Sequence, residues 1–247
     1  MEWFESWFNT PYYHNLYLCR NTDEANHFLQ KLLPYLALPK NSKILDIGCG
    51  KGRHAQIISQ MGFDVTGFDL SKQSIHEAKK LENEHLSFYV HDMRNLFFTN
   101  YFDYAFNLFT SFGYFENERE NIKTLKSTHA GLKKNGLLII DFLNASKVQK
   151  NFVSNEKKEV GDIVYHINKH IDNNRIIKEI KFNDKGKDFT YSEKVQLLTL
   201  TDFKRILTLS GFKIKETFGS YNLDPFIEES DRLIILAEKL TWTHSNT

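Results

Sequence analysis

Charge of one sign is what this sequence has least of. Its 32 basic and 31 acidic residues leave a formal net charge of +1 over 247 positions. No Lys/Arg stripe announces a nucleic-acid footprint, and pairs such as Lys157-Lys158 read as solvated faces. Cysteine is scarce too. Cys19 and Cys49 are too few for a disulfide framework, and a bridge at Cys49 would block the glycine turn around it, so a reducing, cytoplasmic setting is expected. No apolar run approaches the length of a membrane-spanning helix. The opening MEWFESWFNTPYYHNLY carries Glu2 and Glu5, lacks a basic leader and does not read as a signal peptide. The expectation is a soluble chain with neither membrane nor nucleic acid as a partner. Metal-ligand spacing is missing from the candidate site segments. His166 and His170 do stand at i and i+4, but in an expected strand they are too far apart to share one ion, so no metal is expected. There is no internal repeat and no low-complexity segment.

What is present centres on KILDIGCGKGRHA, Lys43 to Ala55. Ile44, Leu45 and Ile47 make a short strand with Asp46 near its end; Gly48, Gly50 and Gly52 make a tight turn; His54, Ile57, Ile58 and Met61 continue at helical spacing. Glycines in such a turn adopt positive φ and let a ligand approach without meeting a Cβ, and free backbone N–H groups are expected to face it. The spacing is G-x-G-x-G. A dinucleotide fingerprint asks for G-x-G-x-x-G, and Arg53 holds its sixth position.

The surrounding chain reads as alternating strands and helices. Phe28, Leu29, Leu32 and Leu33 make an apolar stripe before Pro34 and Pro39. A second strand, Phe63 to Phe68, ends in Asp69, at the distance and strand end where a carboxylate accepts ribose hydroxyls; the alternative for Asp69 is a helix cap, a role Ser71 fills equally well. Leu86 to Val90 form a third strand that runs into His91-Asp92-Met93. Phe102 to Leu108 form a fourth, followed by the aromatic loop Phe109 to Phe115, expected to border the ligand crevice. A helix carrying Ile122, Leu125 and Leu132 leads to an Asn135-Gly136 turn and a fifth strand, Leu137 to Phe142. From Lys147 the pattern changes to strands alone: three alternating runs, around Ile163–Ile167, Ile176–Phe182 and Phe189–Leu197, predict a small antiparallel sheet. A helix from Thr201-Asp202 to Gly211 and strands Phe212–Phe218 and Leu233–Ala237 close the pattern. The expected division is a helical and aromatic cap over residues 1–40, an α/β core over 41–146 and 199–240, and a β insert over 147–198.

The order of glycine turn, Asp69, Asp92-Met93, aromatic loop and terminal strand pair resembles the class I S-adenosylmethionine-dependent methyltransferases of the small-molecule type, over about the whole chain beyond residue 40. That resemblance implies a Rossmann-like seven-stranded sheet of order 3-2-1-4-5-7-6 with an antiparallel last strand and helices on both faces. It implies S-adenosylmethionine as cofactor, with Asp46, Gly48, Cys49, Gly50, Gly52, Asp69, Leu70, Asp92, Met93 and Asn107 in its site. Asp92 would take the adenine amine, and Arg20 the methionine carboxylate. Asn107 stands where many relatives carry another residue, and the absence of an N-P-P-Y or D-P-P-Y segment removes support for a base-flipping enzyme. The acceptor is expected to be a small amine or hydroxyl compound, with Tyr13, Tyr17, Phe112 and Tyr114 as contacts and His14 as a candidate base. The aromatics from Trp3 to Tyr17 either pack outside the core or form a lid. A nicotinamide-dependent oxidoreductase, or a cofactor-binding protein without turnover, are the competing readings.

Overall fold

The computed structural model describes residues 3–17 and 22–240. Helices α1 (Trp3–Phe8), α2 (Pro11–Leu16) and α3 (Thr22–Leu36) precede strand β1 (Lys43–Ile47). Then come α4 (Arg53–Gln60), β2 (Asp64–Asp69), α5 (Lys72–Ala78), β3 (Leu86–Val90), β4 (Phe102–Asn107), α6 (Glu118–Gly131) and β5 (Leu132–Leu143). After α7 (Ala145–Lys150) the chain forms β6 (Asn155–Val160), β7 (Ile163–Asp172), β8 (Arg175–Asp184) and β9 (Lys187–Gln196). Helix α8 (Leu200–Leu209), β10 (Phe212–Phe218) and β11 (Arg232–Lys239) complete it.

The main sheet has the order β3-β2-β1-β4-β5-β11-β10, which is 3-2-1-4-5-7-6 in its own strands. β1 to β5 pair in parallel, and β11 runs antiparallel to both neighbours. Both faces of its central strands are apolar because helices cover both. Phe28, Leu29, Ile58 and Ile75 from α3, α4 and α5 fill one side. Leu125, Phe203 and Ile206 from α6 and α8 fill the other. α8 begins one residue before the expected Thr201, because Thr199 and Asp202 close a reciprocal capping box. No helix of the described residues is long and apolar enough to cross a membrane.

The second sheet has four strands, not three. β6, NEKKEV, escapes an alternation test because it is an exposed edge strand with no apolar face to show. Lys157 there is solvated as expected and pairs with Glu159, but Lys158 donates to the Leu16 carbonyl at 2.7 Å. Two further boundaries differ. α3 runs through Pro34 to Leu36 and stops at Ala37 (φ 48°), since a proline in the last turn costs one hydrogen bond while Leu32 and Leu33 stay buried. Leu132 starts β5 and does not end α6, because the strand begins five residues before Leu137 and bends at Asn135 (φ 61°).

Helices α1 and α2 lie on the second sheet. Trp7 and Leu16 are fully buried against Tyr165, Ile167, Ile180 and Phe182, with Phe8, Tyr12, Tyr13 and Tyr17 around them. Burying so large an indole contributes about 2–3 kcal/mol or more. Its N–H also needs an acceptor there.

Candidate functional site

The end of β1 meets the start of α4 through Gly48, Gly50 and Gly52, all at positive φ (71°, 56° and 82°). A Cβ on Gly52 would lie 2.4 Å from the Phe88 ring, so that glycine serves packing. A Cβ on Gly50 would meet nothing within 4 Å: it would stand in open space, where a ligand can reach the backbone. The expected free N–H groups are engaged within the fold. Gly48 and Cys49 donate to the Phe68 carbonyl at 2.9 and 3.0 Å, Gly50 to Asp69 Oδ2 at 2.9 Å, and Gly52 to the Cys49 carbonyl at 3.0 Å.

Asp69 is thereby oriented from both sides, since its Oδ1 also accepts from the Ser71 N–H at 2.8 Å. Burial raises its pKa, and these backbone N–H groups oppose the shift. Each oxygen keeps a lone pair for a further donor. Asp92 is held in a different way. Arg94 donates from Nε to both its oxygens at 3.0 Å and from Nη2 to Oδ2 at 2.6 Å. Burial works to raise the Asp92 pKa, but the Arg94 bonds and charge outweigh it and hold the carboxyl below its ordinary value.

Between these carboxylates lies a cavity of about 530 Å³. Gly48, Cys49, Gly50, Asp69, Leu70, Asp92 and Met93 line one part of it. Phe8, Tyr13, His14, Tyr17 and Tyr114 line another. The rings are in contact with one another: Phe8 lies 4.7 Å from Tyr13 and 5.4 Å from Tyr114, and Tyr13 5.1 Å from Tyr17. The α1–α2 segment therefore packs on the second sheet and also lines the cavity. It also touches the Asp69 segment: Ser71 Oγ donates to the Phe8 carbonyl at 3.3 Å and to Asn9 Oδ1 at 2.9 Å.

Not every candidate reaches the cavity. Phe112 is corrected as an acceptor contact: it is buried 5.8 Å from Phe203, because Gly113 (φ 80°) turns the loop so that Phe112 enters the core and Tyr114 the cavity. Asp46, Gly52 and Asn107 also lie off the lining. Asp46 and Asn107 end neighbouring strands, and Asp46 Oδ2 and Asn107 Oδ1 are buried acceptors with no hydrogen-bond partner. Burial, then the nearby Asp69, pushes the Asp46 pKa up to about 7. Arg20 lies outside the described residues. His14 lines the cavity with Nε2 3.5 Å from Ser74 Oγ, and burial followed by the Lys51 charge lowers its pKa to about 4. It is a neutral side chain at physiological pH and a weak base.

Three features have little signal in the sequence. Arg94 follows Asp92 by two positions, and nothing in spacing distinguishes it from a surface arginine. Phe109 and Thr110 both hold left-handed conformations (φ 55° and 62°), rare for non-glycine residues. A buried Asp141 fixes them, accepting from the Phe109 N–H at 2.8 Å, Arg232 Nε at 2.8 Å and the Tyr221 hydroxyl at 3.1 Å. Glu193 did leave a trace. It occupies an inward position between Tyr191 and Val195, and there it accepts from Trp7 Nε1 at 2.8 Å and from the Tyr17 hydroxyl at 2.7 Å, with Lys178 at 3.2 Å.

The donor set fits S-adenosylmethionine. Asp69 and Asp92, carboxylates at two strand ends, suit ribose and adenine donors, and the open space over Gly50 admits a close ligand. Comparison with known proteins agrees. A family described as a methyltransferase domain matches residues 17–217. Among curated relatives, the Bacillus subtilis protein YqeM, named there as a candidate methyltransferase, is 32% identical over 119 residues, 47% of this chain and 48% of that one. The ubiquinone biosynthesis O-methyltransferase of Pelagibacter ubique is 32% identical over 117 residues, 46% of each. This chain spans about half the length, or less, of the curated relatives it matches. Two solved structures share the fold at low identity. An S-adenosylmethionine-dependent methyltransferase from Clostridium acetobutylicum superimposes with a TM-score of 0.79 at 18% identity, covering 93% of this chain and 97% of that one. CalS10, an amino pentose methyltransferase from Micromonospora echinaspora with S-adenosylmethionine bound, gives 0.67 at 17%, covering 92% and 94%.

Proposed function

The chain belongs to the class I S-adenosylmethionine-dependent methyltransferases, and from that premise we propose that it methylates the nitrogen of a compact amine held among Phe8, Tyr13, Tyr17 and Tyr114. The observation that carries this reading is the ring cluster facing the same cavity as Asp69 and Asp92. Bound S-adenosylmethionine supplies an electrophilic methyl group on a sulfonium. Asp69 would hold the ribose hydroxyls and Asp92 the adenine amine, with Leu70 and Met93 lining the same part of the cavity. The rings do the rest. They exclude water and orient the acceptor. Positive charge grows on nitrogen as the methyl arrives, and aromatic faces stabilise it.

A hydroxyl acceptor would need a base. The cavity carboxylates are already bonded to Gly50, Ser71 and Arg94, and His14 is a weak base, so the amine reading needs less of this site. The near-zero net charge and closed aromatic wall favour a small molecule over nucleic acid. Methyl transfer to matched amine and alcohol pairs, read by mass spectrometry, tests this. N-methylated products are expected; transfer to the oxygen member alone would overturn it.

The Glu193 junction yields a second expectation. Glu193→Gln keeps the shape but loses the charge that gathers Trp7, Tyr17 and Lys178. A loss of roughly 1–1.5 kcal/mol in that junction corresponds to about a tenfold rise in acceptor KM, with cofactor Kd within about twofold of the original. Steady-state kinetics and calorimetry read the two separately. Equal losses in both would make Glu193 a residue of the fold alone.

A further inference from the structure

Tyr114 lines the cavity, yet the groups that hold its loop belong to a strand pair that does not reach it. Among the described residues, none from β6 to β9 lines the cavity. Arg175 and Gln196 stand directly opposite each other at the joined ends of β8 and β9. Cross-strand partners in an antiparallel pair project from the same face. β9 is the outer strand of its sheet, and such a strand has backbone groups to offer outside the ladder. The Gln196 N–H accordingly donates to the Gly113 carbonyl at 2.8 Å, while Gln196 Nε2 donates to the Phe115 carbonyl at 3.1 Å. Arg175 Nη2 donates to that same Phe115 carbonyl at 3.2 Å and also to the Glu116 carbonyl. Gln196 is itself fixed, since its Oε1 accepts from Nδ2 of the fully buried Asn121 at 2.5 Å.

We propose that Arg175 and Gln196 are positioning residues for acceptor recognition, clamping the carbonyls on both sides of Tyr114 so that its ring walls the acceptor pocket and sets the width of the molecule admitted. The inference rests on the reading of Tyr114 as an acceptor contact. With the flanking peptide planes held, the ring lies 5.4 Å from Phe8 and 5.7 Å from Trp3. The bond from the Tyr114 hydroxyl to the Thr110 carbonyl lies within the same loop and moves with it.

The clamp is redundant at one atom. A carbonyl oxygen offers two lone pairs, and that of Phe115 accepts from both Arg175 and Gln196. Removing either side chain leaves the other donor in place. Removing both leaves only the Gln196 backbone bond to Gly113, so the two substitutions are expected to be far from additive.

The test uses the full chain labelled with fluorotyrosine and saturated with S-adenosylhomocysteine, the Tyr114 fluorine resonance being assigned by its loss in Tyr114→Phe. Arg175→Met, Gln196→Met, the two combined, and Arg175→Lys combined with Gln196→Met are compared. The Tyr114 resonance should stay in place in each single variant, shift or broaden when both donors are gone, and return when lysine restores one donor. The probe acceptor is whichever member of the matched amine and alcohol pairs the original protein methylates fastest. Its KM should rise about tenfold in the double methionine variant and less than about threefold in each single one, with the Kd of S-adenosylhomocysteine within about threefold throughout. Circular dichroism confirms the fold of each. An unmoved Tyr114 resonance in the double variant overturns the inference, as does a loss of cofactor affinity and melting temperature in parallel with KM. A resonance that moves while KM stays constant instead removes Tyr114 from the acceptor site, and the reading of the ring wall fails with it.

Discussion

Gly50→Val is expected to abolish cofactor binding in a chain that still folds. A Cβ on Gly50 meets no protein atom within 4 Å, so the substitution fits at that carbon and its branches extend into the space a ligand needs. Its φ of 56° adds a backbone cost of about 1–3 kcal/mol, small enough for a core of this size to absorb. The same strain threatens the N–H bond from Gly50 to Asp69 Oδ2, which would release the Asp69 carboxylate from its orientation. Steric exclusion and lost orientation together should weaken S-adenosylmethionine by more than about a hundredfold. Calorimetry reads the binding and circular dichroism the fold. Ordinary affinity in a folded Gly50→Val chain would mean that the turn faces no ligand.

Asp141→Ala is expected to produce the largest loss of stability of any single side chain considered. It takes the carboxylate acceptor away from the Arg232 guanidinium, the Tyr221 hydroxyl and the Phe109 N–H at once, and removing one partner of a buried pair costs about 3–5 kcal/mol. At about 2–4 °C per kcal/mol for a chain of this length, the melting temperature should fall by roughly 10 °C. There is a local consequence too. Phe109 and Thr110 are kept in their left-handed conformations by Asp141, whose backbone carbonyl also accepts from the Thr110 N–H at 2.9 Å. Released, the turn relaxes and carries the Phe109 ring off its stack on Tyr221, 5.3 Å away. Differential scanning calorimetry decides the first part. A shift below about 2 °C would show that the buried pair contributes no net stability.

What could be read from the chain and what could not divides along sequence distance. The glycine turn, Asp69 and the Asp92-Met93 pair are local patterns, so periodicity placed each at a strand end, and the resemblance to the methyltransferases supplied the strand order that brings those ends to one edge of the sheet. Loop side chains have no period. Nothing near Phe112 and Tyr114 says which faces the core, and the answer depends on Gly113 and on Phe203, far along the chain. β6 was invisible because an edge strand need not bury a face. The convergence of Trp7, Tyr17 and Lys178 on Glu193 links three segments that no local window contains.

That convergence also bears on how the chain is made. Trp7 and Glu193 are separated by 186 positions, and Tyr12 rests against Phe182 and Phe189 of strands that appear late in synthesis. The aromatic segment leaves the ribosome well before its apolar partners and can be covered only after β9 has emerged. Until then it is bare hydrophobic surface in search of a surface to cover, the kind of exposure that recruits chaperones and seeds aggregation. A fusion or tag that delays release of this segment would not disturb the parallel sheet, whose strands pair with early neighbours, but would hold open the aromatic wall of the cavity.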